Sequence, residues 1–518
     1  MISGTQYIRY SLKHSLEKKR NINTQIIGMI LTSCLLLLIT IFLLAFDLLK
    51  LVTLERMQMR EGLPFFEIWK NPPDPIYTKV YVFNYTNVDR FLSGEDSKLE
   101  FEEIGPVVYY KYPHQRNITF NENSTLSYTT TYDIVFPEDK NIPGILNKTV
   151  IVPNVLVLTL ASLVHEKINS IFTRAAVNMI ISKESIFINA SVYDFLWNMQ
   201  SPTVELLKPF IPSSLFPRTN AGLLYSYFYP EQLDFNVNIG TKHGAENFFK
   251  VNTLNNDPFI IGYKDYEYES CPQYGIVGAT ETTGIQPNIT KDSIIKPYSF
   301  MLPRAFDTFL AKQYQRGILD IYEFQFHDQN YRRLNSSQRH CLGKTGSVYL
   351  PDGLIDSSKI VYGVPFALSP PHFLGFTGPW EEYLGEFAPD PEKHISSMVL
   401  EAVTGFQLKV EASLQLNLIL PEYRLNPRIN QLGGKILPLA WMNYKYEFDS
   451  NLTIMTFIHF AVCLPTIQIA LIGVLIAALV YKLYNLYKLI KMKGVHEIKF
   501  GDSSLEDNNI QDEEKEIL

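Results

Sequence analysis

Two uncharged apolar runs of membrane-spanning length lie near opposite ends of this chain of 518 residues. The first run, residues 26–46, reaches roughly 31 Å as a helix, which is enough to cross the hydrocarbon core of a bilayer. The second lies within residues 452–481, and its most uniform window is residues 461–481. Core helices of soluble proteins seldom stay uncharged on every face for so long, so the pattern predicts two transmembrane helices.

Basic residues lie on the side of each run that faces the chain terminus. Arg9, Lys13, Lys18, Lys19 and Arg20 precede the first run, and lysines at 482, 488, 491 and 493 follow the second. Basic flanks favour the cytoplasmic side of a membrane. A secretory signal has a shorter apolar centre of about 7–15 residues, so the first run is interpreted as an uncleaved anchor. The predicted organisation is a cytoplasmic tail at 1–25, an extracellular or luminal segment at 47–460 and a cytoplasmic tail at 482–518.

Potential N-glycosylation triplets support this topology, because all of them lie between the two runs. Any glycans in the predicted exterior segment would be carried by Asn84, Asn117, Asn123, Asn147, Asn189, Asn288, Asn335 and Asn451. A glycan at Asn451 needs distance from the bilayer, which favours starting the second span nearer residue 461 than residue 452.

Composition and cysteine content restrict what the exterior segment does. A formal net charge of −7 gives no indication of a nucleic acid partner. Cys34 and Cys463 fall in or beside the predicted spans, which leaves Cys271 and Cys341 outside. In an oxidising compartment these two can pair, and two separate buried thiols are the alternative.

Local patterns predict a mixed α+β exterior segment. Residues 77–132 contain short runs of β-branched and aromatic residues separated by turn residues, which is typical of strands. Residues 155–197 carry apolar residues at helical spacing, and a further helix is expected at 303–315. Residues 407–418 alternate between apolar and polar side chains, which predicts a strand with one buried face and one solvated face. The last stretch, residues 501–518, is acidic and lacks aromatics, which predicts a disordered tail.

No catalytic or metal-binding motif is complete in this chain. Gly343, Lys344 and Thr345 lack the first glycine of a phosphate-binding loop, because Gln338 stands in its place. His165 and Glu166 are not followed by the histidine of a helical zinc site. His372 and His394 lack metal-ligand spacing and are interpreted as structural. The sequence therefore predicts neither an enzyme nor a bound metal or cofactor.

A set of short segments in a particular order makes the chain similar to one known family. The segments are residues 80–86 (VYVFNYT), 103–109 (EIGPVVY), 195–197 (FLW), 371–374 (PHFL), 392–394 (EKH), 401–406 (EAVTGF), 414–417 (LQLN) and 438–441 (PLAW). With two spans and cytoplasmic ends, they resemble the CD36/scavenger receptor class B family.

The resemblance implies a large antiparallel β-barrel with a helical bundle at its membrane-distal apex, at about residues 155–215, and an apolar tunnel toward the bilayer. It implies a membrane receptor that binds lipids, lipoprotein particles or other hydrophobic ligands and delivers them to the membrane. Oligomerisation with further copies of the chain stays open.

Candidate ligand-binding residues follow from the same resemblance. Residues 178–184 match the segment in which the family carries a lysine implicated in fatty-acid recognition, and Lys183 stands at that place. Lys167 and Arg174 are further candidates on the same stretch. The alternative is that Lys183 is a solvated lysine beside Glu184.

The chain also departs from the family pattern. Cys271 and Cys341 match one family disulfide, whereas Ile360 replaces another family cysteine, so further bridges are absent. Glu323 stands where the family segment usually has an arginine, which reverses a charge.

The C-terminus resembles an acidic dileucine sorting signal, with Glu513 four residues before the pair Ile517 and Leu518. Such signals direct proteins to endosomes and lysosomes. Residence at the plasma membrane is the main prediction. The alternative is a lysosomal or late-endosomal sorting receptor that binds a protein cargo at its apex.

Overall fold

A computed structural model describes residues 4–45, 59–210, 222–229, 233–239, 242–260, 274–281, 283–332, 350–361, 363–423, 426–448 and 450–516. Cys271, Cys341, Asn335, Ile517 and Leu518 lie outside these ranges, as do the side chains of Lys167 and Glu513. The predicted disulfide and sorting signal therefore remain predictions.

The described helices and strands follow one another in the order expected for a mixed α+β protein. The helices are α1 (Gly4–Ala45), α2 (Pro64–Lys70), α3 (Val88–Ser93), α4 (Val155–Lys167), α5 (Ile171–Ile181), α6 (Val192–Trp197), α7 (Pro202–Leu207), α8 (Tyr225–Phe228), α9 (Pro391–His394), α10 (Pro427–Asn430), α11 (Asn451–Ile458) and α12 (Leu464–Glu516). The strands are β1 (Ile76–Tyr85), β2 (Phe101–Asn121), β3 (Thr125–Val135), β4 (Thr149–Pro153), β5 (Phe187–Ser191), β6 (Asp234–Asn238), β7 (Val251–Leu254), β8 (Thr280–Glu281), β9 (Pro297–Tyr298), β10 (Thr308–Arg316), β11 (Leu319–Phe326), β12 (Ile355–Asp356), β13 (Phe366–Ser369), β14 (Ser397–Glu401), β15 (Gln407–Ile419) and β16 (Ile436–Glu447).

The chain divides into two compact units. One comprises residues 1–55 and 462–518, and the other comprises residues 56–461 and is called the exterior unit after its predicted location. Within the first unit, α1 and α12 contain apolar stretches long enough to span a membrane, at Arg20–Ala45 and Thr466–Lys493. Both predicted spans thus fall largely on helices. Helix α12 continues to Glu516, so the predicted disorder of the acidic tail is wrong, and its glutamates and Lys515 are good helix formers.

The exterior unit is built on one large antiparallel sheet. Its strands lie in the order β10-β11-β14-β15-β16-β1-β2-β3-β6-β7, and β13 branches from β15 to pair with β12. Strands β10 and β7 form its two ends, and no pairing between them occurs among the described residues. The large antiparallel sheet is confirmed, whereas its closure into a barrel remains a prediction.

Strand β15 is more deeply buried than its alternating sequence predicts. Every residue from Ser413 to Ile419 is buried, so the expected solvated face is absent from this half of the strand. The polar side chains that were expected to face water are instead paired internally. Asn417 Nδ2 donates to Ser369 Oγ at 3.0 Å, and Asn443 Nδ2 donates to Ser413 Oγ at 2.9 Å. Burial of both faces is tolerated because these partners satisfy the polar groups.

The helical insertion is confirmed in part. Asn154 and Ser170 cap the N-termini of α4 and α5 through their side-chain oxygens. Strand β5 then interrupts the predicted helix, because residues 187–191 pair with β4. Helices α4, α5 and α7 contact one another, and their apical position stays a prediction.

The prediction of a helix at 303–315 is wrong. Residues 308–316 form β10 and pair with β11 in a hairpin. Gly317, at a φ of +65°, takes the left-handed conformation at its turn. Thr308, Phe309 and Tyr314 favour a strand, and pairing with β11 prevails over the helical spacing of the apolar residues.

A buried carboxylate joins the beginning of the exterior sheet to its end. Strand β1 pairs with β16, the last strand of the sheet in sequence. Just before β1, Asp74 Oδ1 accepts the backbone N–H of Ser450 at 2.5 Å. Asp74 Oδ2 accepts the hydroxyls of Ser450 at 3.1 Å and Thr453 at 2.7 Å. The carboxylate therefore holds the N-terminus of α11 against the start of β1.

Most of the described glycosylation candidates lie on the surface. Asn84 is half-buried in β1, where its amide donates to Glu102 and accepts from the Ile151 N–H. The exposed candidates are Asn117, Asn123, Asn147, Asn189, Asn288 and Asn451.

We expect Asp74→Ala to destabilise the exterior unit by at least about 2 kcal/mol, because it leaves buried donors unsatisfied at about 1–3 kcal/mol each. Thermal unfolding of the full-length protein in detergent, followed by tryptophan fluorescence, measures the loss. Asp74→Asn keeps one acceptor oxygen and should lose less. An Asp74→Ala variant that unfolds at the wild-type temperature would show that these hydrogen bonds do not stabilise the exterior unit.

Candidate ligand-binding cavity

A cavity of about 190 Å³ lies against the large sheet of the exterior unit. Its wall combines side chains from β1 to β3, β11 and β14 to β16 with residues of α2 and of the segments around residues 284 and 300. Apolar and aromatic side chains dominate this wall. Examples are Phe65, Ile76, Tyr132, Phe300, Met301, Phe326, Met398, Phe406, Val410, Leu414 and Tyr444. An apolar concavity with few polar groups is the usual form of a site for hydrophobic ligands.

Helix α2 supplies one side of the cavity wall. Pro64 at its first turn is preorganised for a helix, and the helix turns Phe65, Ile68 and Trp69 toward the cavity. Trp69 Nε1 donates to Thr283 Oγ1 at 3.1 Å, so the buried indole has a partner. The Phe65 ring meets that of Phe406 edge to face, with centroids 6.1 Å apart. These contacts fix the aromatic wall in place.

One charged side chain enters this apolar wall. Strand β2 alternates so that Tyr109, Lys111 and Pro113 are all buried on one face. Lys111 is 3% exposed, and its Nζ lies 3.7 Å from the ring centroid of Tyr132 and 4.5 Å from that of Phe300. Burial lowers the pKa of Lys111 to about 7. Among the described residues it is the only charged one that lines the cavity, and it has neither an ion pair nor a hydrogen-bond acceptor there.

Sequence reasoning missed Lys111, although a signal was present. The residue stands in phase with Val107 and Tyr109 within a run of strand character, so its side chain was due to face inward. A lysine at such a position is unusual, because lysines are almost never fully buried without a partner.

Two of the residues predicted to bind ligand, Lys183 and Arg174, lie elsewhere and do not line the cavity. Lys183 is exposed just beyond α5. Arg174 is half-buried, and its Nε donates to the Ile168 carbonyl between α4 and α5. Of Lys167 only the backbone position at the end of α4 is described. The predicted roles of these three residues stay predictions.

Helix α5 carries an exposed apolar surface. Phe172 is 85% exposed, Ile171 is 69% exposed and Met179 is 67% exposed. At 3.6 residues per turn the three side chains fall within about 100° of arc on the helix. Such a cluster on one helix face marks a contact surface more often than single exposed apolar residues do.

A cluster of titratable groups lies around Glu103. Its Oε1 accepts Trp441 Nε1 at 2.6 Å and faces His372 Nε2 at 2.5 Å. His372 Nδ1 faces the Ala388 carbonyl at 2.9 Å, so both ring nitrogens of His372 lie within hydrogen-bond distance of an oxygen. Burial raises the pKa of Glu103, but the hydrogen bonds from His372 and Trp441 outweigh it, so the pKa is lowered.

The neighbouring His394 is neutral. Its ring lies 4.5 Å from that of His372, and burial followed by the charge of His372 lowers the pKa of His394 to about 4. A neutral ring is consistent with His394 Nδ1 accepting the Asp390 N–H at 3.0 Å. Glu103, His372 and His394 each form a hydrogen bond with another protein group. Across the part of the chain that the structure describes, no group of His, Cys, Asp and Glu has the arrangement of a metal site.

Comparison with known proteins assigns the chain to a family. The family model described as "CD36 family" matches residues 26–486. Scavenger receptor class B member 1 of Rattus norvegicus is 25% identical over 474 residues, which cover 88% of this chain and 89% of that protein. Lysosome membrane protein 2 of Homo sapiens is 23% identical over 405 residues, which cover 77% of this chain and 80% of that protein. The chain, with an antiparallel sheet at its centre and a membrane helix near each end, is therefore a two-pass membrane protein of the CD36 family.

Proposed function

We propose that this protein is a scavenger-type membrane receptor that takes lipidic ligands into the cavity of its exterior unit and delivers them to the membrane. The apolar cavity against the large sheet is the observation that carries this proposal. Each CH₂ group moved from water into such a cavity gains about 0.8 kcal/mol. A lined passage therefore lowers the cost of carrying an acyl chain through water without any covalent chemistry.

The exposed lysine beyond α5 gives the proposal a second element. Lys183 follows a helix whose surface presents Phe172 and Met179, so a cation stands near an apolar surface. This combination suits first contact with an amphiphile or with the surface of a lipoprotein particle. In this proposal α5 makes the first contact with the lipid, and the cavity then encloses its hydrocarbon chain.

We expect Ala412→Phe to reduce the amount of bound lipid about tenfold. Ala412 lines the cavity from β15, and a phenyl ring there would fill the space while costing about 1–3 kcal/mol in overpacking. Lipids extracted from the purified full-length protein and quantified by mass spectrometry measure the change. Ala388→Phe is the matched control, because Ala388 is exposed and does not line the cavity. Wild-type lipid content in a folded Ala412→Phe variant would contradict the proposal.

A second candidate function is sorting of a protein cargo to lysosomes. The exposed apolar surface of α5 favours it, because such a surface also suits a protein partner. Among the relatives, lysosome membrane protein 2 is named for the lysosomal membrane. The tail with Glu513, Ile517 and Leu518 would then carry the sorting signal.

We expect a membrane reporter that carries residues 513–518 at its C-terminus to accumulate in lysosomes if sorting is the function. Replacing Ile517 and Leu518 by alanine should return it to the cell surface, because the aliphatic pair is the part that an adaptor would bury. Fluorescence microscopy with a lysosomal marker gives the readout. A reporter that stays at the surface in both forms would leave plasma-membrane residence as the better assignment.

A further inference from the structure

The cavity described above is lined by one basic side chain and by no described acidic one. Lys111 reaches into a wall of apolar and aromatic side chains, and the polar groups that share this wall are uncharged. Burying an unpaired ammonium is costly, because the ion loses its hydration. The rings of Tyr132 and Phe300 offset part of the lost hydration free energy, since a desolvated cation–π contact contributes about 2 kcal/mol or more.

A purely structural role explains this lysine poorly. A methionine or leucine would fill the same space, and replacing buried ions by apolar residues is often neutral or stabilising. The lysine instead offers three N–H donors that the described residues leave without an acceptor. A donor group held at the wall of an apolar cavity is suited to a ligand that brings its own acceptor.

We infer that Lys111 makes the cavity selective for lipids with a singly charged acidic head group over neutral lipids. This inference rests on the proposed function, because it presumes that lipid enters the cavity. The head group would form charge-assisted hydrogen bonds with Lys111 Nζ while the hydrocarbon chain lies against the aromatic and aliphatic wall. One cation neutralises one charge, which favours a single carboxylate or phosphodiester over a doubly charged head group.

Lys111 and three tyrosines are the described titratable groups of the cavity wall, and Glu281 lies behind it. The Glu281 carboxylate accepts the Thr283 N–H and acts on Tyr132, and burial raises the pKa of Glu281 to about 6. Tyr132, Tyr444 and Tyr446 also line the cavity, and burial raises the pKa of each, so they stay neutral. Burial lowers the pKa of Lys111 to about 7, so in the empty cavity a share of its amines is neutral at neutral pH. An arriving anion favours the charged form, so binding draws a proton onto the amine.

The test is a competition between lipids of similar chain and different head group. Purified full-length protein in detergent is incubated with equal amounts of oleic acid, oleyl alcohol and dioleoylphosphatidylglycerol and then freed of unbound lipid. Bound lipids are extracted and quantified by mass spectrometry. We expect an acid-to-alcohol ratio about tenfold above that of the mixture, which corresponds to one charge-assisted hydrogen bond. Enrichment of oleate or of phosphatidylglycerol tells whether the anion is a carboxylate or a phosphate.

The variants separate charge from packing. Lys111→Met should lose the preference for acidic lipids and keep the bound alcohol, whereas Lys111→Arg keeps the charge and should retain the preference. Lys79→Met, at an exposed position of β1, is the matched control and should behave as wild type. If Lys111→Met fails to fold, the same loss of preference is sought in Lys111→Gln.

The outcomes distinguish this inference from the function on which it rests. Wild-type protein that binds all lipids without preference, or a Lys111→Met variant that still prefers acids, would overturn the role of Lys111 and leave the lipid receptor standing. Wild-type protein that retains none of the three lipids would overturn both.

Discussion

The pairing of the first long strand of the exterior unit with its last one is the contact on which the rest of the sheet depends. Strand β1 lies between β16 and β2, so segments more than 350 residues apart in sequence become neighbours at the centre of the sheet. Asp74 reinforces this junction through the N-terminus of α11. The other strands of this sheet lie outward from this centre, on the side of β2 or on the side of β15.

Several of the segments that make the chain similar to its family meet at this junction. Glu103 of β2, His372, His394 and Trp441 of β16 come from four different segments, yet they form one cluster. Gln415 of β15 joins them by accepting the His372 N–H at 2.8 Å. Hydrogen bonds among distant parts of the chain constrain several residues at once, which gives these short segments a structural reason to occur together.

The large sheet buries polar side chains in two ways, with hydrogen-bond partners on β15 and without a described acceptor at the cavity. On β15, Ser413 and Asn417 are buried with partners, so that region is closed and internally satisfied. In the middle of β2, Lys111 is buried against rings and has no described acceptor. A satisfied network specifies a fold, whereas an unsatisfied donor in an apolar cavity specifies what the cavity can receive.

The sequence by itself determined the two membrane helices, the strand character of residues 77–132 and the family, because these depend on length, local periodicity and the order of short segments. Tertiary structure alone decided that residues 308–316 form a strand, that β15 is buried on both faces and that β5 interrupts the helical insertion. Each of these depends on a partner distant in sequence, which local spacing does not reveal. The same reason kept Lys111 from notice, since only the packing of β3 and the segment at Phe300 against β2 turns an ordinary lysine into the one described charge of an apolar cavity.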